Sequence, residues 1–224
     1  MRHRSYDRLK RRRRTPALGI VTRPLGGPLA HVSALMAAAG DAAAPDSFAR
    51  SLDDADAVSR ENLNGWEAYL AGLDDAAWQA MNVAAVERLR RAPKRGWDQL
   101  FDLLNEAKAY AALKTLGCTE ISFVTRTTAR KSPDLWATWN GQMVLCEVKT
   151  IEVRHTPVPE DFFTGKLAWT IAEAKAQLDA FGTDDARKIV CLVFQRAGDV
   201  AWPAALTDRI KVQGASAGVE LMVL

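Results

Sequence analysis

The residues best suited to chemistry lie together in Ser132–Thr150, "SPDLWATWNGQMVLCEVKT". Two apolar, strand-like runs flank Asn140-Gly141. Charge interrupts both, as Asp134 in the first and as Glu147 and Lys149 in the second. Asn-Gly between such runs favours a hairpin with a two-residue type I′ loop. That loop makes Trp139 face Gln142, and the same register continued down the hairpin sets Asp134 directly opposite Glu147, with Cβ atoms about 5 Å apart. Lys149, two residues beyond Glu147, shares their face. Two ionised carboxylates at about 5 Å repel by roughly 3 kcal/mol at an effective dielectric near 20. A chain keeps such a pair when one member is protonated or a cation sits between them. Lys149 supplies part of that compensation, and a divalent metal supplies more.

The hairpin alternates in a way that suits burial. Leu135, Ala137, Trp139, Val144, Cys146 and Val148 fall on one face. Trp136, Thr138, Met143 and Leu145 fall on the other, with Asp134, Glu147 and Lys149 at its open end. The charged face is expected to pack toward the helix that precedes the hairpin.

"PD" followed by "EVK" resembles the PD-(D/E)XK nuclease superfamily, and the likeness covers Trp97–Leu224. The resemblance implies a restriction-endonuclease-like fold in which Asp134 and Glu147 bind Mg²⁺, with Mn²⁺ able to substitute. It implies that the backbone carbonyl of Val148 adds a ligand. Lys149 would orient or polarise the attacking water and offset charge on the scissile phosphate. Members often add a glutamate from the preceding helix, where Glu106 is the candidate, and a polar residue from the following helix, where Lys175 and Gln177 are the options. Phosphodiester hydrolysis needs a hydroxide near neutral pH and a place for charge to develop on the phosphate, and Mg²⁺ held by one to three carboxylates provides both. The implied activity is metal-dependent hydrolysis of DNA in restriction, repair, recombination or defence. The alternatives are a non-catalytic nucleic-acid-binding protein that keeps the fold, and a helical interaction module.

The surrounding elements are those such a site needs. Trp97–Leu116 has an apolar stripe of Leu100, Leu104, Ala107 and Ala111, and Gly117 stops it. Glu120–Arg126 alternates as a strand. Phe162–Phe181 is a second long helix. The apolar run Lys188–Gln195 is a strand covered on both faces. A helix over 203–212 and a strand over Val219–Leu224 complete the chain. The expected class is therefore α/β, a mixed sheet flanked by helices with an α-β-β-β-α-β core in residues 95–224. A helical N-terminal extension covers 29–94, with a helix over Leu29–Ala39 and helical pattern from Phe48 to Ala92. Asp74 or Asp75 caps the clearest segment.

Composition sets the frame. The chain has 224 residues, 48% hydrophobic and 25% charged, which is the balance of a globular domain. No apolar run of about 18 residues occurs, so no membrane partner is expected. Cys118, Cys146 and Cys191 are odd in number and far apart, and read as buried free thiols of a cytoplasmic protein. His3, His31 and His155 sit near no cysteine pair, so zinc has no ligand set. Met1–Arg14 holds eight Arg/Lys and one Asp, so that within a total charge of +3 the remaining chain carries −4. Residues 1–28 thus read as a basic arm and linker, either a polyanion contact or an inert extension. A homodimer is left open.

Overall fold

The computed structural model describes residues 23–24, 29–39, 57–91, 96–124, 132–153, 158–181, 185–196 and 204–224. The basic arm, His3, His155 and the segment 48–56 lie outside the described residues. Among the described residues four helices come first, α1 (Ala30–Ala39), α2 (Ala57–Ala71), α3 (Asp75–Arg91) and α4 (Gly96–Thr115). Strands β1 (Thr119–Phe123), β2 (Leu135–Trp139) and β3 (Gln142–Val153) follow. The short helix α5 (Glu160–Phe162) runs through a π turn (Phe163–Leu167) into α6 (Ala168–Phe181), and β4 (Arg187–Arg196), α7 (Ala204–Ala217) and β5 (Glu220–Val223) end the chain.

The strands form one five-stranded mixed sheet in the order β1-β2-β3-β4-β5. β1, β2 and β3 pair antiparallel, whereas β3–β4 and β4–β5 are parallel. The molecule is thus mixed α/β with helices on both faces of the sheet. Asn140 (φ 50°) and Gly141 (φ 77°) are both left-handed, as a type I′ loop requires. The hairpin register runs from Trp139↔Gln142 to Leu135↔Cys146, as the loop dictates.

Local signals explain the helix ends. Asp74 caps α3 by accepting the Ala77 N–H at 2.8 Å and also takes the Tyr110 hydroxyl at 2.9 Å. That settles the choice between Asp74 and Asp75. Gly117, at φ 84°, ends α4 in a Schellman motif, with Cys118 N–H bonded to Leu113 O and Gly117 N–H to Lys114 O, both at 3.0 Å. The N-terminus of α1 is held from outside. The Glu67 carboxylate on α2 accepts the backbone N–H groups of His31 and Val32 at 2.9 Å and lies 2.7 Å from His31 Nδ1.

Two apolar clusters sandwich the sheet. Leu103, Leu104 and Ala107 of α4 and Trp78 and Met81 of α3 share one cluster with Leu135, Ala137, Val144 and Cys146. The helices α1–α3 and α4 therefore share a single core. Leu167, Ile171, Ala174 and Leu178 share the second cluster with Leu145, Ile151, Val190 and Leu192. Successive β3 residues alternate between the clusters, so α4 and α6 cover opposite faces of that strand.

Several expected boundaries move. β1 ends at Phe123, with a bulge between Thr119 and Ser122 and Glu120 at φ 52°. α7 continues to Ala217. The expected helix 162–181 begins at Glu160 and contains the π turn, a geometry that recurs at functional sites.

Candidate active site

β3 is the longest strand among the described residues, and it outruns β2. It pairs with β2 only from Gln142 to Cys146, and with β4 from Val144 to Val153. At the point where the two strands part, β2 has already ended. Asp134 is a bend residue before Leu135, not a member of the ladder, so the expected Asp134–Glu147 strand pair is replaced by a side-chain arrangement. The Asp134 N–H still bonds Cys146 O at 3.0 Å, and its Oδ2 accepts the Val148 N–H at 2.9 Å. A carboxylate oxygen thus takes a β3 donor on the side that β2 has vacated. Val148, expected to offer its carbonyl, meets Asp134 through the opposite end of its backbone.

Glu147 and Lys149 point the other way from expectation. They alternate with Val148 and face α6, not α4. The reason lies in the two helices. The α4 stripe covers the apolar face of Val144 and Cys146, whereas α6 presents Glu173 and Gln177 to the charged one. Glu147 is 1% exposed. Its Oε1 lies 3.0 Å from Lys149 Nζ, and its Oε2 accepts Gln177 Nε2 at 2.7 Å. Gln177 gives its second amide hydrogen to Ser132 O at 2.6 Å, which ties α6 to the segment leading into Asp134. Lys149 also lies 3.8 Å from Glu173 Oε2. Of the two options on the following helix, the structure brings in Gln177. Lys175 pairs with Asp179 instead.

Glu106 is buried, 4% exposed, on α4, which packs on the Val144 and Cys146 face of β3. Its neighbours Asp102 and Asn105 meet Thr150 on that face, Asn105 Nδ2 at 2.8 Å and Asp102 Oδ1 at 3.3 Å from the Thr150 hydroxyl. Among the described residues, no group of three or more His, Cys, Asp or Glu is placed to hold a metal ion. The expected three-carboxylate cluster of Glu106, Asp134 and Glu147 is therefore not gathered.

The donor set still suits one kind of cation. Mg²⁺ is commonly held by one or two carboxylates, with waters completing its octahedron. Each carboxylate oxygen carries two lone pairs, so an oxygen that accepts a hydrogen bond can also ligate a cation. The Ser132 hydroxyl, 6% exposed and adjacent to this cluster, has no hydrogen-bond partner among the described residues. A buried orphan of that kind is usually met by water. The residues thus fit a hydrated Mg²⁺ on Asp134 and Glu147 and do not fit a three-carboxylate cage.

Cys146 lies beside Glu147 with its Sγ 3.3 Å from Cys191 Sγ. The Cys191 hydrogen bond, then burial, then the nearby charges of Asp134 and Glu147 push its thiol well above the usual range. Cys118, Cys146 and Cys191 are all buried and free.

Sequence reasoning missed Glu173, Ser132 and the Asn105–Thr150 bond. Glu173 had one weak signal, its spacing of four from Gln177 on one helix face.

No protein-family model, no curated protein and no solved structure matches the chain.

Proposed function

We propose that this protein is a metal-dependent nuclease with a restriction-endonuclease-like core, hydrolysing phosphodiester bonds in DNA. One observation carries the reading, the buried Glu147 carboxylate bridged by Lys149 and Gln177 next to Asp134 where β2 and β3 part. A charged carboxylate and an ammonium at 1% and 20% exposure are costly to bury for stability alone.

In this reading Asp134 and Glu147 would hold a Mg²⁺ ion, which when bound would supply a water acidic enough to act as nucleophile near neutral pH. Gln177 fixes the rotamer of Glu147 by tying it to Ser132 O, so that the carboxylate keeps one orientation. Lys149 is the mobile member. Its ammonium is shared between Glu147 and Glu173, and a phosphate entering the site would draw it toward the developing negative charge. Glu173 then serves as its resting partner. The activity would belong in the cytoplasm with DNA as partner. The described residues contain no helix long and apolar enough to cross a membrane.

A second reading has its own support. Lys149 is already paired with carboxylates, and no third acidic ligand joins the described cluster. A non-catalytic DNA-binding protein with the same core would look similar. Purified protein with Mg²⁺ or Mn²⁺ against labelled linear, circular, nicked and branched DNAs decides between them. Cleavage lost in Glu147→Gln supports the nuclease. Salt-sensitive binding with no cleavage of any substrate supports the second reading.

A further inference from the structure

Trp169 stands out among the apolar side chains. It is 66% exposed, whereas Trp78 in the core is wholly buried. It lies on α6 four residues before Glu173 and eight before Gln177, so the three fall along one side of the helix. One turn of helix, about 6 Å, separates Trp169 from the residue that pairs with Lys149. The positions around the indole are small. Ala172 and Ala176 are exposed on the same side, and Gly165 in the π turn has open space where a side chain would stand. Lys166 is exposed one turn earlier. A wide, flat aromatic surface with clear space beside it, Lys166 one turn before it and the Glu173-bound Lys149 beyond the next turn, suits a nucleotide whose ring stacks while its neighbouring phosphate draws Lys149 away from Glu173.

We propose that Trp169 is a stacking platform for an unpaired nucleobase next to the phosphate that meets Lys149. The consequence is a substrate class, a single strand or a strand unwound at that point. In continuous duplex both faces of each base are already stacked, and the indole has nothing to receive. Base–aromatic stacking tolerates any sequence, because every base has a π face. The proposal rests on the nuclease reading and deepens it.

The test is anisotropy of labelled 20-nucleotide DNAs, with Ca²⁺ in place of Mg²⁺ to hold cleavage off. The DNAs are a single strand, its duplex, and the same strand carrying abasic positions. Trp169→Ala should weaken the single strand about 5- to 100-fold, as expected for the loss of one stacked base. Trp169→Phe should retain most of the affinity, and duplex binding should move less than twofold. The abasic strand should bind wild type as weakly as the intact strand binds Trp169→Ala, with no further loss when the two changes are combined. Equal losses on single strand and duplex, or none on either, would overturn the platform. So would a Trp169→Ala protein that changes oligomeric state on gel filtration, because the indole would then be a contact between copies. If wild type cleaves duplex with Mg²⁺ while Trp169→Ala leaves single-strand binding untouched, the platform falls and the nuclease stands. If wild type binds no DNA, both fall.

Discussion

Glu67 and Glu147 are two partly or wholly buried carboxylates that the chain uses in opposite ways. Glu67 accepts backbone N–H groups from the first turn of α1 and meets the His31 ring at 2.7 Å. Its donors cannot move unless α1 unwinds, and negative charge at a helix N-terminus is favourable. Glu147 is more deeply buried, with 2% side-chain exposure against 17%, and it is held by Lys149 and Gln177, donors at the ends of side chains. Those donors can be exchanged for a cation without unwinding a helix. The difference teaches that burial alone does not mark a working carboxylate. What marks it is whether its partners can leave.

Lys149→Ala breaks the comparison most sharply. DNA cleavage should fall by about 10²-fold or more, the usual loss for a positioned charge or proton-transfer group. Circular dichroism should stay close to wild type, whereas the melting temperature should fall, because the buried Glu147 carboxylate loses its ammonium partner. Wild-type cleavage by this variant would reduce Glu147 to a second structural carboxylate.

Glu67→Ala should cost stability alone. It strips α1 of its cap and leaves buried donors unmet, which costs about 2 kcal/mol, or a melting temperature lower by roughly 4–8 °C for a chain of this size. Cleavage per folded molecule should not change. A loss of activity without a loss of stability would place Glu67 in the wrong category.

Metal sharpens the contrast at smaller scale. At ten times its dissociation constant, Mg²⁺ should stabilise the wild type by about 1.4 kcal/mol, because it binds only the folded state. Differential scanning fluorimetry should record that shift for wild type and for Glu67→Ala, and a weaker one for Asp134→Asn. An equal shift in Asp134→Asn would remove Asp134 from the site.

Acid gives the smallest effect. Burial pushes the Glu67 carboxyl up, but the N–H groups of His31 and Val32, and then the His31 ring, outweigh it and hold it below its ordinary 4.5. The Ala77 N–H, followed by the Tyr110 hydroxyl, likewise holds Asp74 below 3.8 against the upward pull of burial. A depressed folded-state value adds stability that is complete above the ordinary value and is lost as pH falls through the folded one. Urea midpoints should therefore drop below about pH 4.5, and Glu67→Gln should flatten the upper part of that limb. An unchanged limb would mean that His31 and α1 draw nothing from the charge of Glu67.

The hairpin was legible because Asn140-Gly141 fixes the loop, the loop fixes the register, and the register fixes which residues share a face. The end of α4 was legible for a similar reason, since Gly117 alone takes the left-handed position without cost. Which helix covers which face was not legible. Alternation separates Glu147 from Val148 but does not say which of them meets α4. That depends on the crossover between parallel β3 and β4, whose handedness sends α6 to one face and leaves the other to α4. Asp134 was placed in a strand pair because its neighbours pair, but Ser132-Pro133 brings it in through a bend. The π turn before α6 had no signal beyond Gly165.

The mixed direction of the sheet also sets an order of assembly. The β2–β3 hairpin closes over a two-residue loop and needs no other element, whereas Val144 and Arg187, partners in the parallel ladder, are separated by the whole of α5 and α6. Closing the longer loop costs more chain entropy and comes later. Gln177 reaches Ser132 and Glu147 only once that closure is made. A chain emerging from the ribosome would therefore carry its acidic and basic side chains in an unjoined hairpin and α6, and would gain its bridged Glu147 only near the last step of folding. Activity and completed topology would appear together, so a refolding time course followed by cleavage should lag one followed by hairpin-sensitive tryptophan fluorescence.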